Sequence, residues 1–319
     1  IIDGAYKAPR EVNYWFGVVL LMLTLGLGLT GYLLPWDQKG FGATKVATSL
    51  IGIVPLVGPS LQKLVVGGSD YGHHTLTRFF ALHAGVLPGL LVAFLVLHVA
   101  LFRRHGLTPK QPQTKPDACF WPDQVLRDSV AALGLLAVVF GTVLYTGGAE
   151  LTAPADPASP YAAARPEWYF LFLFQFLKWF PGQLEVWGAF VLPGLILGVL
   201  FLMPWIGRSR TGHLLNVALL FVLLGGAALL TVQAVQEDTL AGSAQALFAE
   251  SGLTDTPPHR QAFGASKTYL QAQHAAAQQA ERVVALARLQ GIPPAGALSL
   301  MAEDPYLQGP KLFAQHCAS

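Results

Sequence analysis

Two histidines sit where ionisable groups are costly. Residues 79–102 read FFALHAGVLPGLLVAFLVLHVALF, with no Asp, Glu, Lys or Arg and with His83 and His98 inside. At about 1.5 Å of rise per residue, this stretch is long enough to cross a hydrocarbon core of about 30 Å as a helix. An imidazole at bilayer depth marks a functional site by default, and neutral imidazole is a common metal ligand. The 15-residue spacing corresponds to about 22 Å of rise and four turns plus roughly 60°. The rings therefore share a face but lie at opposite depths, and Pro88 between them permits a bend. One helix offering one ligand at each depth suits two cofactors stacked across a membrane.

A second group of residues lies in PEWYFLFLFQFLKWF, residues 166–180. Its apolar core is too short to span and reads as re-entrant or interfacial. Pro166 suits a first helical position and Glu167 a first turn, where the macrodipole favours a carboxylate. Glu167 has two readings: a helix-start acid, or a carboxylate at the rim of an aromatic pocket, its pKa raised by desolvation and able to accept a proton. The chain ends GPKLFAQHCAS, where Cys317-Ala-Ser is either an incidental thiol in a mobile tail or the opening of a C-x-x-C-H haem attachment site.

The elements that must position these residues are helices. The chain is 53% hydrophobic and 12% charged, and five apolar stretches can span: residues 14–36, 79–102, 129–149, 186–207 and 214–236. The expected fold is an all-α transmembrane bundle of about five spans, with surface helices in two loops and a partly helical, partly disordered tail. Residues 1–116, 117–236 and 237–319 form its N-terminal, C-terminal and tail parts. Lys7, Arg10, Arg103, Arg104, Lys110, Lys115, Arg127, Arg208 and Arg210 fall on one side. The positive-inside bias makes that side cytoplasmic and puts the tail outside. Residues 37–78 carry short apolar runs broken by Pro55 and Pro59, read as two surface helices over an outer site. Residues 266–289 are helical by propensity and broken near Gly291–Pro294. Two cysteines, Cys119 and Cys317, make no disulfide framework, and Cys119 reads as a packed thiol. His73 and His74 read as solvated and His105 and His213 as interfacial. No basic tract suits nucleic acid.

At this point the residues resemble a family. TLTRFFALH from Thr75, with His98 after it, resembles the fourth transmembrane helix of cytochrome b. KAPREVNYWFGV (7–18) and GYLLPWDQKG (31–40) resemble the start and end of its third helix, and ADPASP and PEWYF its C-terminal half. The 15-residue spacing, one more than in the mitochondrial type, and the KAPRE and LPWDQ wording are similar to the short photosynthetic cytochrome b. Here that form is joined to its subunit IV, as in bacterial fusions with a c-type haem tail.

The resemblance implies quinol oxidation at the outer face. One electron goes to a Rieske iron–sulfur protein, and the other crosses two b-type haems to a second quinone site. His83 would hold the outer haem and His98 the inner. Glu167 and Tyr169 would line the quinol pocket, Glu167 taking a proton, with Pro166, Pro35 and Trp36 close by. Arg103 would serve the inner haem's propionates, Arg78 a structural or propionate role outside, and Cys317 a covalent haem c. A c-type cytochrome, membrane lipid, a homodimeric complex and a bacterial inner membrane complete the expectation. The family's partner histidines lie upstream of this sequence, so the chain is expected to be a central piece of a longer protein, inactive by itself. Two other classes compete: a diheme membrane anchor without bifurcation, and a transporter using the histidines as proton relays. An anchor has no need of the PEWYF loop, and the spans offer a relay little beyond Thr, Ser, Asn216 and Gln233.

Overall fold

The computed structural model describes residues 1–106, 119–149, 151–157, 164–251 and 257–317. Lys110 and Lys115, residues 158–160 of the ADPASP segment, and Ala318 and Ser319 fall outside them. The described residues form helices α1 (Glu11–Gly31), α2 (Gln38–Gly52), α3 (Gly58–Val66), α4 (His73–His105), α5 (Phe120–Thr146), α6 (Trp168–Leu177) and α7 (Gly182–Ile206). They continue with α8 (Arg210–Ser251), α9 (Pro257–Gln290), α10 (Ala297–Glu303) and α11 (Pro305–His316). No strand occurs among them, which makes the fold all-α. Five helices are long and apolar enough to cross a membrane: α1, α4, α5, α7 and the Arg210–Thr239 part of α8.

Two compact units result, Ile1–His105 with Thr152–Ser319, and Gly106–Leu151. The second is built on α5, whose apolar sides are exposed and which opens with a π-helical turn over Phe120–Gln124. Cys119, expected to be packed, is exposed just before that turn, where an extended backbone turns it away from helix packing. In the first unit α1 packs along α4 and touches α7, while α6 and α9 pack on α8.

Several boundaries differ from expectation for local reasons. The first span stops at Gly31 rather than Trp36, because the residue before Pro35 is pushed out of the helical region. Trp36 then takes φ +53°, and Asp37 starts a new helix by accepting from the Gly40 amide at 3.0 Å. The last span runs on as helix past Gln236 to Ser251. The PEWYF helix starts at Trp168, so Glu167 is its N-cap residue and Pro166 precedes it. The expected break near Gly291–Pro294 separates α9 from α10.

Proline shapes the spans. Pro88 lacks an amide and its ring crowds the carbonyl four residues back, and α4 answers with a π-helical turn over Leu82–Val86, the Leu87 amide reaching the Leu82 carbonyl. Pro193 sits two residues after the matching π turn Trp187–Val191 in α7, as Pro88 does after Val86. Pro204, inside α7, strips the Leu200 carbonyl of its helical donor. In a bilayer that group needs another partner. Tyr14 Oη donates to it at 3.0 Å, Trp15 Nε1 donates to the next carbonyl, Phe201, at 2.9 Å, and buried Asn216 donates to the Met203 carbonyl at 2.8 Å. Tyr14 thus fills the gap that Pro204 leaves, while Asn216 adds a second donor to a Met203 carbonyl that already accepts from the Gly207 amide.

The tail helices fold back onto the first unit. Ala153, Val283 and Met301 form a buried cluster with Leu307 beside it. Arg282 Nε lies 2.7 Å from Asp304, and Asp304 also caps α11 through the Tyr306 amide. The Arg282 guanidinium holds the Asp304 carboxyl below its usual range. Lys311 reaches Asp156 at 3.2 Å.

Replacing Tyr14 by Phe leaves the Leu200 carbonyl without its donor. This is expected to cost about 1 kcal/mol of stability, read as a lower midpoint in denaturant titration of the membrane-reconstituted protein. An unchanged midpoint refutes the repair role.

Candidate functional site

Both histidines point at α1. His83 Nδ1 lies 3.1 Å from the Leu27 carbonyl and 3.3 Å from Thr30 Oγ1. His98 Nδ1 lies 2.9 Å from the Asn13 carbonyl. A carbonyl can only accept, so each Nδ1 carries the hydrogen and donates it. Each Nε2 is left with its lone pair, the form in which imidazole binds a metal, oriented by a backbone acceptor on its far side.

The spacing of these contacts is matched on both helices. Asn13 and Leu27 are 14 residues apart on an unbroken α-helix, whereas the histidines are 15 apart. The π turn at Leu82–Val86 takes up one extra residue, so the histidines fall into α-helical phase as if they were 14 apart. The offset of roughly 60° expected from an uninterrupted helix does not arise. Glycine makes the close approach possible: a Cβ at Gly31 would stand 2.5 Å from His83 Cε1, nearer than packing allows. Gly17 lies in ordinary contact with the His98 ring. Sequence reasoning missed this shelf, although the Gly17–Gly31 spacing of 14 was the visible trace of it.

A mostly apolar cavity of about 310 Å³ lies beside the His83 end of α1. Gly28 of α1, Tyr32 just after it, Ala47 of α2, Phe174 of α6 and Phe190 of α7 contribute to its wall. Pro166, Glu167 and Tyr169 line it, while Pro35 and Trp36 do not. Trp36 packs instead against the cluster of Leu33, Phe41, Phe79 and Ala155. Glu167 is about a third exposed, its Oε1 3.6 Å from Lys39 Nζ. Burial pushes the Tyr169 phenol up, and the Glu167 carboxylate beside it adds to the shift, so Tyr169 stays a hydroxyl donor at neutral pH.

Two latches hold the cavity mouth. Asp37 Oδ2 accepts from the Thr152 amide at 3.0 Å and from its hydroxyl at 2.8 Å. Around it, Gln38 N bonds Ala153 O, Ala155 N bonds Trp36 O, and the Asp156 amide donates to Gln38 Oε1. On the opposite flank Arg165 makes a forked pair with Asp238 at 3.0–3.2 Å and lies over the rings of Phe174 and Tyr269. Gln175 of α6 and Lys178 just after it both reach Glu237 of α8.

The remaining predicted residues are placed elsewhere. Arg78 donates to the Leu64 carbonyl, tying α4 to α3, which is a structural contact. Arg103 is exposed at the far end of α4. Cys317 is exposed directly after α11. His73 and His74 are exposed, and His213 Nδ1 bonds the buried Tyr6 hydroxyl at 2.8 Å. Among the described residues no three metal-ligating side chains converge.

Comparison with known proteins gives this arrangement a family. Residues 1–160 match the profile described as "Cytochrome b(N-terminal)/b6/petB", and residues 154–240 match "Cytochrome b(C-terminal)/b6/petD". The chain belongs to the cytochrome b family. It is 35% identical over 210 residues to a cytochrome b of Rhodobacter capsulatus, covering 61% of this chain and 47% of that one. It is 33% identical over 216 residues to a cytochrome b of Rickettsia prowazekii, covering 65% and 53%. The chain therefore spans about half the length of the curated relatives it matches. A solved structure, "Hyperthermophilic respiratory Complex III", shares the fold with a TM-score of 0.63 at 23% identity, over 88% of this chain and 72% of that one. Family and apolar helices together make this cytochrome b chain a multi-pass membrane protein.

Gly31→Val would push the His83 ring off α1. The full-length protein carrying it is expected to lose most of one b-type haem band in reduced-minus-oxidised spectra, with the other retained. Two intact bands would mean that the shelf does not set the ligand.

Proposed function

We propose that this chain is the quinone-reactive part of a cytochrome b that oxidises quinol and moves electrons across a membrane. One observation carries the reading: both intramembrane imidazoles have Nδ1–H engaged by α1 carbonyls, which presents Nε2 as a ligand at two depths. The fit to haem b follows from this donor set and from the room that Gly31 leaves beside His83. His83 would hold one haem and His98 the other, each iron taking a second imidazole from elsewhere in the protein. Bis-imidazole iron is six-coordinate and suits electron transfer rather than oxygen binding. Arg103 would meet propionates at the inner haem.

The cavity supports quinol oxidation over a simple haem anchor. Its apolar walls suit a quinone ring, and it brings a carboxylate and a phenol to one rim. Glu167 would take a proton from a quinol hydroxyl and Tyr169 would hydrogen-bond the head group. Electrons would leave to a Rieske iron–sulfur protein and, through the haems, to a second quinone, within a homodimeric complex. We place that complex in a bacterial inner membrane with the tail on the periplasmic side, where the exposed Cys317 would carry a covalent haem c and meet a c-type cytochrome.

Two substitutions in the full-length complex test the reading. His83→Ala is expected to remove one haem b spectrum while the protein still inserts, and survival of both signals would end the ligand assignment. Glu167→Gln is expected to slow quinol oxidation by about tenfold or more at unchanged haem content; wild-type turnover would end its role as proton acceptor.

A further inference from the structure

We infer that Lys39 is a positioning residue for Glu167, holding the carboxylate at the cavity rim as an ion pair that each proton transfer opens and each proton release re-forms. The inference rests on the quinol-oxidising reading of the same cavity.

The pair joins two parts that are each fixed independently. The Lys39 amide donates to Thr152 Oγ1 at 3.0 Å, and that hydroxyl donates to Asp37. Gln38, the neighbour of Lys39, is buried and bonded to Ala153 and Asp156. On the other side Glu167 follows Pro166, whose φ is fixed by its ring, and Arg165, which is clamped to Asp238. The two backbones are therefore set before the side chains meet at 3.6 Å, so the pair loses less freedom than two loose surface chains would. Lys39 is absent from the cavity wall while Glu167 is part of it, so the lysine acts through the carboxylate. The other charged or titratable groups that line this cavity are Tyr32, Tyr169 and Arg165, and Arg165 is occupied by Asp238.

The step is a proton transfer alone. An O–H bond of the quinol breaks, its electron pair stays on the quinol oxygen, and an O–H bond forms on Glu167. The pair changes from neutral to singly positive, and its Coulomb attraction vanishes. The neutral carboxyl is then released from Lys39 and swings to water at the exposed side of the rim. Loss of the proton restores the charge, and Lys39 draws the carboxylate back.

The test compares quinol oxidation by the assembled complex for wild type, K39M, K39R, E167Q and K39M/E167Q, with haem spectra confirming assembly. K39M is expected to lower kcat about two- to fivefold with KM within about 1.5-fold, and K39R to recover most of the loss, a range set by partly exposed ion pairs. In the E167Q background K39M is expected to change nothing further, because its target is gone. Lys39→Gln replaces K39M if haem content falls. A wild-type rate for K39M, a K39R as slow as K39M, or equal slowing by K39M with and without Glu167 each overturns the inference. If E167Q is slow but K39M is not, only the role of Lys39 fails; if E167Q itself runs at the wild-type rate, the proton-acceptor reading fails with it.

Discussion

The rest of this structure depends on a ring hydrogen of each intramembrane histidine being given to a backbone carbonyl of α1. A neutral imidazole has one donor and one acceptor, and in a medium without water neither can be left idle at low cost. Committing Nδ1–H to Asn13 and Leu27 chooses the tautomer, the rotamer and the face of α4 together. It also fixes how α4 lies on α1, because two contacts about 21 Å apart along a helix leave little freedom to roll or slide. The carbonyls used are already helix acceptors, which have a second lone pair to offer.

That constraint explains the defect in α4. The α1 acceptors lie 14 residues apart and the histidines 15, so a regular α4 would swing one ring off the shelf by about 100°. The π turn at Leu82–Val86 removes the mismatch, and Pro88 supplies a local reason for it to form there. The insertion is thus a register device rather than a flaw. A hinge that includes His83 would add motion, but this one is clamped by the His83 contact itself.

Much of this was legible in the amino-acid order, for identifiable reasons. Long apolar runs with few charges announced the five helices, and prolines announced the loop helices α2 and α3. The histidines stood out because charge-capable groups are rare at that depth. What could not be read was geometry made by two segments at once. Nothing local in GYLLPWDQ says that Asp37 will grip Thr152 or that Lys39 will meet Glu167, more than a hundred residues away. Trp36 and Pro35 carry the same family wording as the site residues, yet they build the frame behind the cavity. Tyr14 looks like a polar residue awaiting a function until the gap at Pro204 is seen.

The shelf and the cavity are also one object. Leu27 carries the carbonyl that holds His83, and the next residue, Gly28, lines the cavity, with the Tyr169 ring 3.2 Å from where its Cβ would be. A side chain there would press on the Tyr169 ring, so the same turn of α1 is bare on both flanks for two different partners. The proposed proton-accepting rim and the proposed metal-ligating ring are thereby referenced to adjacent backbone positions on one rigid helix. Their separation cannot drift without bending α1, whose C-terminal end is stopped by Pro35 and tied through Trp36 and Asp37 to the Thr152–Asp156 strap. Reactions that must take a proton and an electron from one substrate in different directions need that fixed reference more than they need any single side chain, because electron transfer falls off with distance while a proton moves only across a hydrogen bond.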